Sequence, residues 1–593
     1  MAITSPTADV LDLAPSFGAG RAAWGRLTSV RVAAPVVALI LLTLLVILPL
    51  ATMLLASLRP AGSFPLDPGP LVFSNFASVY LEPGQATLAM LRNTAVYALV
   101  PIFIALPLAF TLAFLTERTN LPLRNLIYSV MFIPMSVPVF ASAMSWFLLL
   151  GPRAGTLNTW IRTLFGLDTR EGPFNILSLQ GMIFVHSIGI IPSMWLILIS
   201  VLRSMDPALE EAAASAGVSR WRTLLFVTIP LMAPGILATI ILFAVAGIDS
   251  LETPLALGRT AGVEVMSTRV YDLLHQPTGL GFAYGPPAAL GLLGLLVGLV
   301  GIGAYMYLTR RVSNYVVVTG KAYRPRIVNL GAWKYVALAG VAVYLVLQVV
   351  LPFSILLATS FQRFYQPLAP GSQIVWTANN YLSMLDYRFF GQYFVNTILV
   401  AVGAAVVTMV LVSFLAWQIV RWPSRLTQLV NVLAFMPLAI PGVISGLALF
   451  LLFIGTPLYG TLILLVIAFT ARFLAYATRL MHSAQVQLHK ELEEAAVTAG
   501  VPYLRTFVWI NLRLLLPAFF NGSLWVLTHA ARDFTTPLMV ASASSLLASN
   551  LIFGRYSDGK FPESAAMMVV LVLFNACAVV IGRKWIVRAI GGG

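Results

Sequence analysis

Two stretches of the chain, ALEEAAASAGVSRWRTLLFVTIPLMAPG at residues 208–235 and ELEEAAVTAGVPYLRTFVWINLRLLLPA at residues 491–518, are near copies of each other. Each opens with paired glutamates and with alanines, which are strong helix formers. Each then reaches a glycine, Gly217 or Gly500, suited to the left-handed conformation that ends a helix. Asp206 is a good N-cap for the first copy, and the second copy has no equivalent residue. A short charged helix is therefore predicted twice in the chain.

The chain as a whole is strongly apolar. Hydrophobic residues make up 59% of it and charged residues only 10%, with a mean hydropathy of +0.91. This composition predicts a membrane protein, and about twelve apolar runs are long enough to cross roughly 30 Å of hydrocarbon. The predicted spans are 33–57, 93–116, 125–150, 179–202, 229–256, 286–309, 332–359, 394–420, 427–454, 457–482, 514–543 and 563–587.

The copied segments belong to a longer internal repeat. "NTAVYALV" at Asn93 matches "NTILVAVG" at Asn396, and "FIPMSVPVF" at Phe132 matches "FMPLAIPGV" at Phe435, both at an offset of 303 residues. From the charged segments onward the offset is 283, so the first half carries about twenty extra residues, which fit best after Gly151. We therefore predict an all-α integral membrane protein of about 12 transmembrane helices, arranged as two parallel six-helix repeats.

The repeat also sets the expected domain organisation, with each charged segment in the connection between the fourth and fifth helices of its half. The predicted units are an N-terminal tail 1–30, a first half 31–310 with its loop at 206–234, a basic linker 311–331, and a second half 332–593 with its loop at 489–517.

Basic residues predict the orientation, because short loops rich in Lys and Arg remain cytoplasmic. The densest basic group is the central linker, which places the N-terminus and both charged loops in the cytoplasm. Topology and contact with anionic lipid headgroups then account for the net charge of +15. Nucleic-acid binding is not expected, because the basic residues are dispersed among many loops.

The charged loops carry a recognisable pattern: E-A-A, three residues, G, nine residues and I-x-L-P. The chain resembles the permease subunits of type I binding-protein-dependent ABC importers, whose EAA loop has this pattern. In the first copy Val227, Ile229 and Pro230 complete it. In the second copy Ile510 and Leu512 match, but Arg513 replaces the proline.

This resemblance implies that each EAA loop couples the permease to one subunit of a cytoplasmic ATPase dimer. The implied coupling residues are Glu210, Glu211, Ala212 and Gly217 in the first loop and Glu493, Glu494, Ala495 and Gly500 in the second. ATP and Mg would be bound by the partner ATPase, since the sequence has no G-x-x-x-x-G-K-[ST] loop. The resemblance further implies a solute-binding protein outside the cell and a location in the bacterial inner (plasma) membrane.

Two other classes of protein are weighed against this interpretation. A secondary transporter of the major-facilitator type would carry a G-x-x-x-D-R-x-G-R-R-like loop after its second helix, and the loop here is "TERTNLPLR" at 116–124. A membrane enzyme would need a reactive cluster, but the five histidines are scattered without metal-ligand spacing. No catalytic residue, metal site or resident cofactor is therefore expected.

Pore or gate residues are sought where polar or helix-breaking residues occur in apolar runs. Paired prolines recur in both halves and are predicted to kink the third helix of each. Charged residues follow each EAA loop by about eighteen residues, where they line an external gate, contact the arriving binding protein or extend to water. Arg472 lies deeper without an identifiable partner. The candidates are Pro134, Pro138, Asp249, Glu252, Pro437, Pro441, Arg472, Arg532 and Asp533.

The two fused halves and the D-x-x-x-T-P element at Asp249 resemble the ferric-iron permeases of this superfamily. Ferric iron is therefore the first expectation for the substrate. Thiamine, phosphonate and polyamine import stay open as alternatives.

Overall fold

A computed structural model of the chain describes residues 31–82, 84–205, 207–275, 277–278, 281–312, 327–386 and 390–591. The predicted tail 1–30, most of the predicted linker 311–331 and the predicted N-cap Asp206 lie outside these residues.

The described part of the first half is almost entirely helical, because its apolar runs satisfy every backbone hydrogen bond within themselves. Its main helices are α1 Arg31–Ser57, α2 Gln85–Arg118, α3 Arg124–Ser136, α4 Val139–Leu150, α5 Thr156–Phe165, α6 Leu179–Ser204, α7 Pro207–Ser215, α8 Trp221–Asp249, α9 Met266–His275 and α10 Gly285–Val312. Shorter elements are the helical turns Ser74–Phe76, Ala77–Leu81 and Pro254–Gly258, and the paired two-residue strands β1 Pro277–Thr278 and β2 Gly281–Phe282.

The second half repeats this order. Its helices are α11 Trp333–Ser360, α12 Phe390–Arg421, α13 Arg425–Phe435, α14 Gly442–Phe453, α15 Leu462–Val486, α16 Glu491–Thr498, α17 Tyr503–Leu514, α18 Leu516–Arg532, α19 Thr535–Val540, α20 Ala548–Ser557 and α21 Phe561–Gly591, with short helices at Asn379–Asp386 and Met436–Ala439. Among the described residues, nine helices are long and apolar enough to cross a membrane, and three bent pairs bring the count to as many as twelve. The predicted fold class is confirmed.

The paired prolines break the third span of each half more sharply than the predicted kink. α3 and α4 meet at 93°, and the corresponding segments Arg425–Ala439 and Gly442–Phe453 meet at 109°. The second proline of each pair, Pro138 or Pro441, is extended and lies directly before the next helix, with ψ of 139° or 140°. The prediction of one kinked helix at 125–150 and 427–454 is thus corrected to two short helices, which leave backbone groups free at each break.

Matching hydrogen bonds confirm the repeat at the level of single side chains. The Asn75 amide donates to the carbonyls of Ser57 and Arg59, and the Asn380 amide donates to those of Ser360 and Gln362. Each asparagine therefore closes the connection that follows the first span of its half.

The "NT" pairs of the sequence repeat form a second matching set. Thr94 accepts a hydrogen bond from the Met266 amide at 2.8 Å, and Thr397 accepts one from the Ala548 amide at 2.9 Å. These bonds fasten the second span of each half to the start of α9 or α20.

The first span of each half packs against the opposite half. α1 packs against α14, and α11 packs against α4. Buried residues of both halves, including Leu42 and Leu447, belong to one continuous apolar cluster. The two repeats therefore form one interlocked body.

The residues after Gly151 that the second half lacks include the amphipathic helix α5. The Tyr365 hydroxyl of the second half lies 2.7 Å from the Ala154 carbonyl oxygen, and the Trp160 indole on α5 donates to the Leu368 carbonyl. Burial raises the pKa of the Tyr365 hydroxyl, so it remains a donor at neutral pH. The extra residues after Gly151 are thus bound to the second half by these hydrogen bonds.

Candidate functional site

A cavity of about 560 Å³ lies where the two halves meet. Its lining includes the break between α3 and α4, the middle of α6, the end of α8, and parts of α11, α15 and α21. We call it the central cavity. Its polar lining residues are Ser142, Ser145, His186, Ser193, Asp249, Ser250, Glu252, Thr253, Gln348, Arg472 and Thr535.

Several of these polar side chains have atoms that make no hydrogen bond within the described part of the chain. They are Ser142 Oγ, His186 Nε2, Thr253 Oγ1 and Gln348 Oε1. Buried polar atoms normally find a partner, and these four, which have almost no accessible surface, are exceptions beside the cavity.

Arg472 joins the two halves electrostatically. From α15 its guanidinium lies 2.9 Å from the Asp533 carboxylate and 3.5 Å from the Asp249 carboxylate. Asp249 ends α8 in the first half, and Asp533 follows α18 in the second. The partner that the sequence could not identify is therefore a pair of carboxylates, one from each half.

The broken helices receive charged caps from the opposite half. Asp249 accepts a hydrogen bond from the Val443 amide, at the N-terminus of α14, at 3.0 Å. Arg532, at the position equivalent to Asp249, donates to the Met135 carbonyl near the C-terminus of α3. A carboxylate at a helix N-terminus and a guanidinium at a C-terminus both match the helix dipole.

Glu252 completes this arrangement. Its carboxylate accepts from the Phe140 amide at 2.7 Å and from the Phe534 amide at 3.3 Å, and the residue is only 9% exposed. Phe140 holds the same place in α4 that Val443 holds in α14, so both broken spans have an acidic cap. We call Asp249, Glu252, Arg472, Arg532 and Asp533 the charged cluster.

The structure thus brings all five predicted charged residues together. The interpretation that they extend to water is not supported, because their partners are buried backbone groups and one another. Of the prolines, Pro134 and Pro138 line the central cavity, whereas Pro437 and Pro441 are not among its lining residues. Within the described residues, no group of three or more His, Cys, Asp or Glu side chains could hold a metal ion.

The two EAA loops form short helices, α7 and α16, as predicted. Gly217 and Gly500 follow them with φ of +76° and +85°. The amides of Val218 and Val501 bond back to the carbonyls of Ala213 and Ala496, which is the Schellman ending of a helix.

The adjacent glutamates of each loop point in different directions. Glu210 accepts hydrogen bonds from Arg118 on α2 at 3.1 Å and from Thr228 on α8 at 2.9 Å. In contrast, the predicted coupling residues Glu211 and Ala212 are exposed.

The second loop shows the same division. Glu493 accepts from Arg421 at 2.5 Å and from Asn511 at 2.8 Å, and it is 5% exposed, whereas Glu494 and Ala495 are exposed. Arg421 and Asn511 stand where the repeat places Arg118 and Thr228. Arg118 and Arg421 were not predicted to have a role, although both end a long apolar helix at matching positions.

Two parallel halves, each with a broken third span and an exposed short helix before its fifth span, define a membrane permease subunit. The family model described as "Binding-protein-dependent transport system inner membrane component" matches residues 105–314 and 408–590, which together are more than half of the chain. The chain belongs to this family, with its domain present twice, and is an ABC importer permease.

Three similar proteins are named for ferric iron. The ferric transport system permease protein FbpB of Actinobacillus pleuropneumoniae is 25% identical over 81% of this chain and 68% of its own length. Putative FbpB 1 of Haemophilus influenzae is 26% identical over 72% of this chain and 66% of its own length. FbpB 2 of the same organism is 20% identical over 84% of this chain and 90% of its own length.

Permeases named for other substrates also match, over shorter parts of the chain. The putrescine transport system permease protein PotI of Escherichia coli is 30% identical over 24% of this chain and 54% of its own length. Among solved structures, a bacterial ABC transporter for import of the polysaccharide alginate covers 49% of this chain and 99% of its own, with 18% identity and a TM-score of 0.37.

Proposed function

We propose that this chain is the membrane subunit of an ATP-driven importer of ferric iron. The observation that carries the proposal is the extent of the matches. The relatives named for ferric iron align with 72% to 84% of this chain, whereas those named for polyamines or sulfate align with 24% to 41%. Polyamine import is the second candidate, since permeases of that name also match.

The central cavity is the proposed path of the substrate. It lies between the halves, and its wall combines carboxylates with hydroxyl groups. Hydroxyl and carboxylate oxygens suit a hard cation that moves through without being tightly held. In the described conformation the charged cluster binds backbone groups at the broken third spans of both halves, beside this path. We propose that it forms the gate.

Two partners belong to this proposal. An ATPase dimer docks on α7 and α16 from the cytoplasm, where the N-terminus also lies, and it binds the ATP and Mg. A solute-binding protein delivers the substrate from outside. The repeated EAA loops support the first partner, and the family description supports the second.

The test is reconstitution of the chain with its ATPase subunits in liposomes, with purified binding protein on the outside. Ferric-loaded binding protein should stimulate ATP hydrolysis and radioactive iron should accumulate, while putrescine should have no effect. Stimulation by putrescine but not by iron would assign the second candidate. Uptake driven by a proton or sodium gradient without ATPase subunits would refute ABC import altogether.

A further inference from the structure

Adjacent residues on a helix point about 100° apart, so two neighbouring glutamates cannot make the same contacts. In each EAA loop the first glutamate is turned toward the membrane domain and the second toward the surface. This division occurs independently in both halves, at positions related by the repeat.

Each inward glutamate is the meeting point of three elements. Glu210 on α7 contacts Arg118 at the end of α2 and Thr228 at the base of α8. Glu493 on α16 contacts Arg421 at the end of α12 and Asn511 on α17.

The flanking spans lead to the charged cluster. Within α8, Thr228 is joined to Asp249 by continuous helix, whereas α17 and α18, which join Asn511 to Arg532, meet at 74°. At 1.5 Å per residue, the segment Ile229–Asp249 is about 31 Å long. A displacement of α7 would therefore reach the cluster along one helix, and a displacement of α16 would reach it across the bend between α17 and α18.

Burial makes the connection stiff. The Arg118 side chain is 2% exposed and the Glu493 side chain 7%. Breaking such a pair leaves a charge without its partner in a poorly hydrated site, which costs far more than breaking a surface pair.

We propose that Glu210 and Glu493 are positioning residues that transmit movement of the EAA helices to the membrane spans, while Glu211 and Glu494 face the ATPase. This inference rests on the proposed function. It assigns the first glutamate of each pair to the membrane domain and not to the partner.

The test compares neighbouring substitutions of identical chemistry in the complete reconstituted complex. Glu210→Gln and Glu493→Gln should retain the ATPase subunits through size exclusion but raise the ATP hydrolysed per substrate imported by about tenfold. The matched variants Glu211→Gln and Glu494→Gln should instead release the ATPase subunits more readily. An unchanged ratio in the first pair, or loss of ATPase subunits equal to that of the second pair, would overturn the inference.

A double-mutant cycle guards against simple misfolding. Arg118→Leu and Glu210→Leu should each uncouple the complex, and the double variant should be no worse than the poorer single variant, because both charges are then removed together. If the loss of coupling in the double variant equals the product of the two single losses, the two residues act separately, which would contradict the inference. A wild-type complex that hydrolyses no ATP in response to loaded binding protein would refute the proposed function itself, and the inference with it.

Discussion

At the scale of residues, Arg472 shows how a charge is kept inside a membrane domain. A guanidinium at this depth is tolerated when carboxylates face it, and Asp249 and Asp533 do so from opposite halves. Gly442 provides the room, because a Cβ at that position would collide with the Arg472 guanidinium. The depth of Arg472 was evident from the sequence. Its partners and the role of Gly442 were not, because they depend on how the halves meet.

Removing this guanidinium should destabilise the protein measurably. Arg472→Gln leaves the partly buried Asp249 and Asp533 beside each other without a cation, which should cost about 1–3 kcal/mol. We expect a clear fall in the midpoint of thermal unfolding in detergent. The control is Arg479→Gln on the same helix, where the arginine is exposed and lies over the Phe435 ring. Equal midpoints for the two variants would contradict the importance of the buried pair.

Gly442→Ala tests the same contact by steric means. The added methyl group must displace the Arg472 guanidinium from its carboxylates, so this variant should reproduce the lower unfolding midpoint while keeping every charge. Gly455→Ala is the matched control, because a Cβ there meets nothing within 4 Å. If both alanine variants unfold at the wild-type temperature, the guanidinium can move elsewhere without loss.

At the scale of elements, the third span of each half is the clearest departure from a simple bundle. The paired prolines indicated a distortion, and their recurrence indicated a shared role. Proline spacing alone does not set an angle, however. The breaks of 93° and 109° exist because Glu252 and Asp249 cap the freed amides and Arg532 caps a freed carbonyl. These caps come from distant parts of the chain. The sequence alone therefore predicted kinks and not full breaks.

The short helices α7 and α16 provide the element-scale prediction. Gly217→Leu and Gly500→Leu place a side chain where φ is positive, at a cost of about 1–2 kcal/mol, although a Cβ meets nothing within 4 Å at either site. The chain should remain folded, and ATPase activity stimulated by loaded binding protein should fall several-fold because the end of the helix is displaced.

The controls for these glycines are Ala216→Leu and Ala499→Leu. Each adds the same side chain one residue earlier, where the backbone φ is negative. In these variants the stimulation of ATPase activity by loaded binding protein should be closer to the wild-type level. A glycine variant that stimulates normally, in a monodisperse complex, would show that the left-handed helix ending is not needed for coupling.

At the scale of the whole molecule, the repeat was readable from the sequence because matching motifs kept an offset of 303 residues before the charged segments and 283 from there onward. The drop in offset indicated about twenty extra residues, and the structure has them after Gly151 in the first half. What the repeat could not predict is the exchange of first spans, in which α1 packs on α14 and α11 on α4. Both spans are uniformly apolar, so their sequences do not indicate which neighbour they cover.

This exchange predicts that the halves assemble without a covalent link. If the chain is divided at residue 320 and the two pieces are expressed together, an affinity tag on one should recover the other in equal amounts, since α1 and α11 still bury their apolar faces on the opposite half. The complex should elute near the position of the intact chain on size exclusion. Recovery of the tagged piece alone would mean that the linker, and not the interlocked spans, holds the halves together.

The composition of the charged cluster has a consequence for stoichiometry. A pairing of two first halves would bring together Asp249 and Glu252 from both copies, with Gly189 at the position of Arg472 and no guanidinium to neutralise them. A pairing of two second halves would instead bring together Arg472, Arg532 and Asp533 from both copies, with a net charge of +2. Two first halves would carry −4 and the mixed pair carries −1, so the mixed pair has the smallest charge to neutralise. Synthesis as a single polypeptide then guarantees a one-to-one supply of the two complementary pieces from each message.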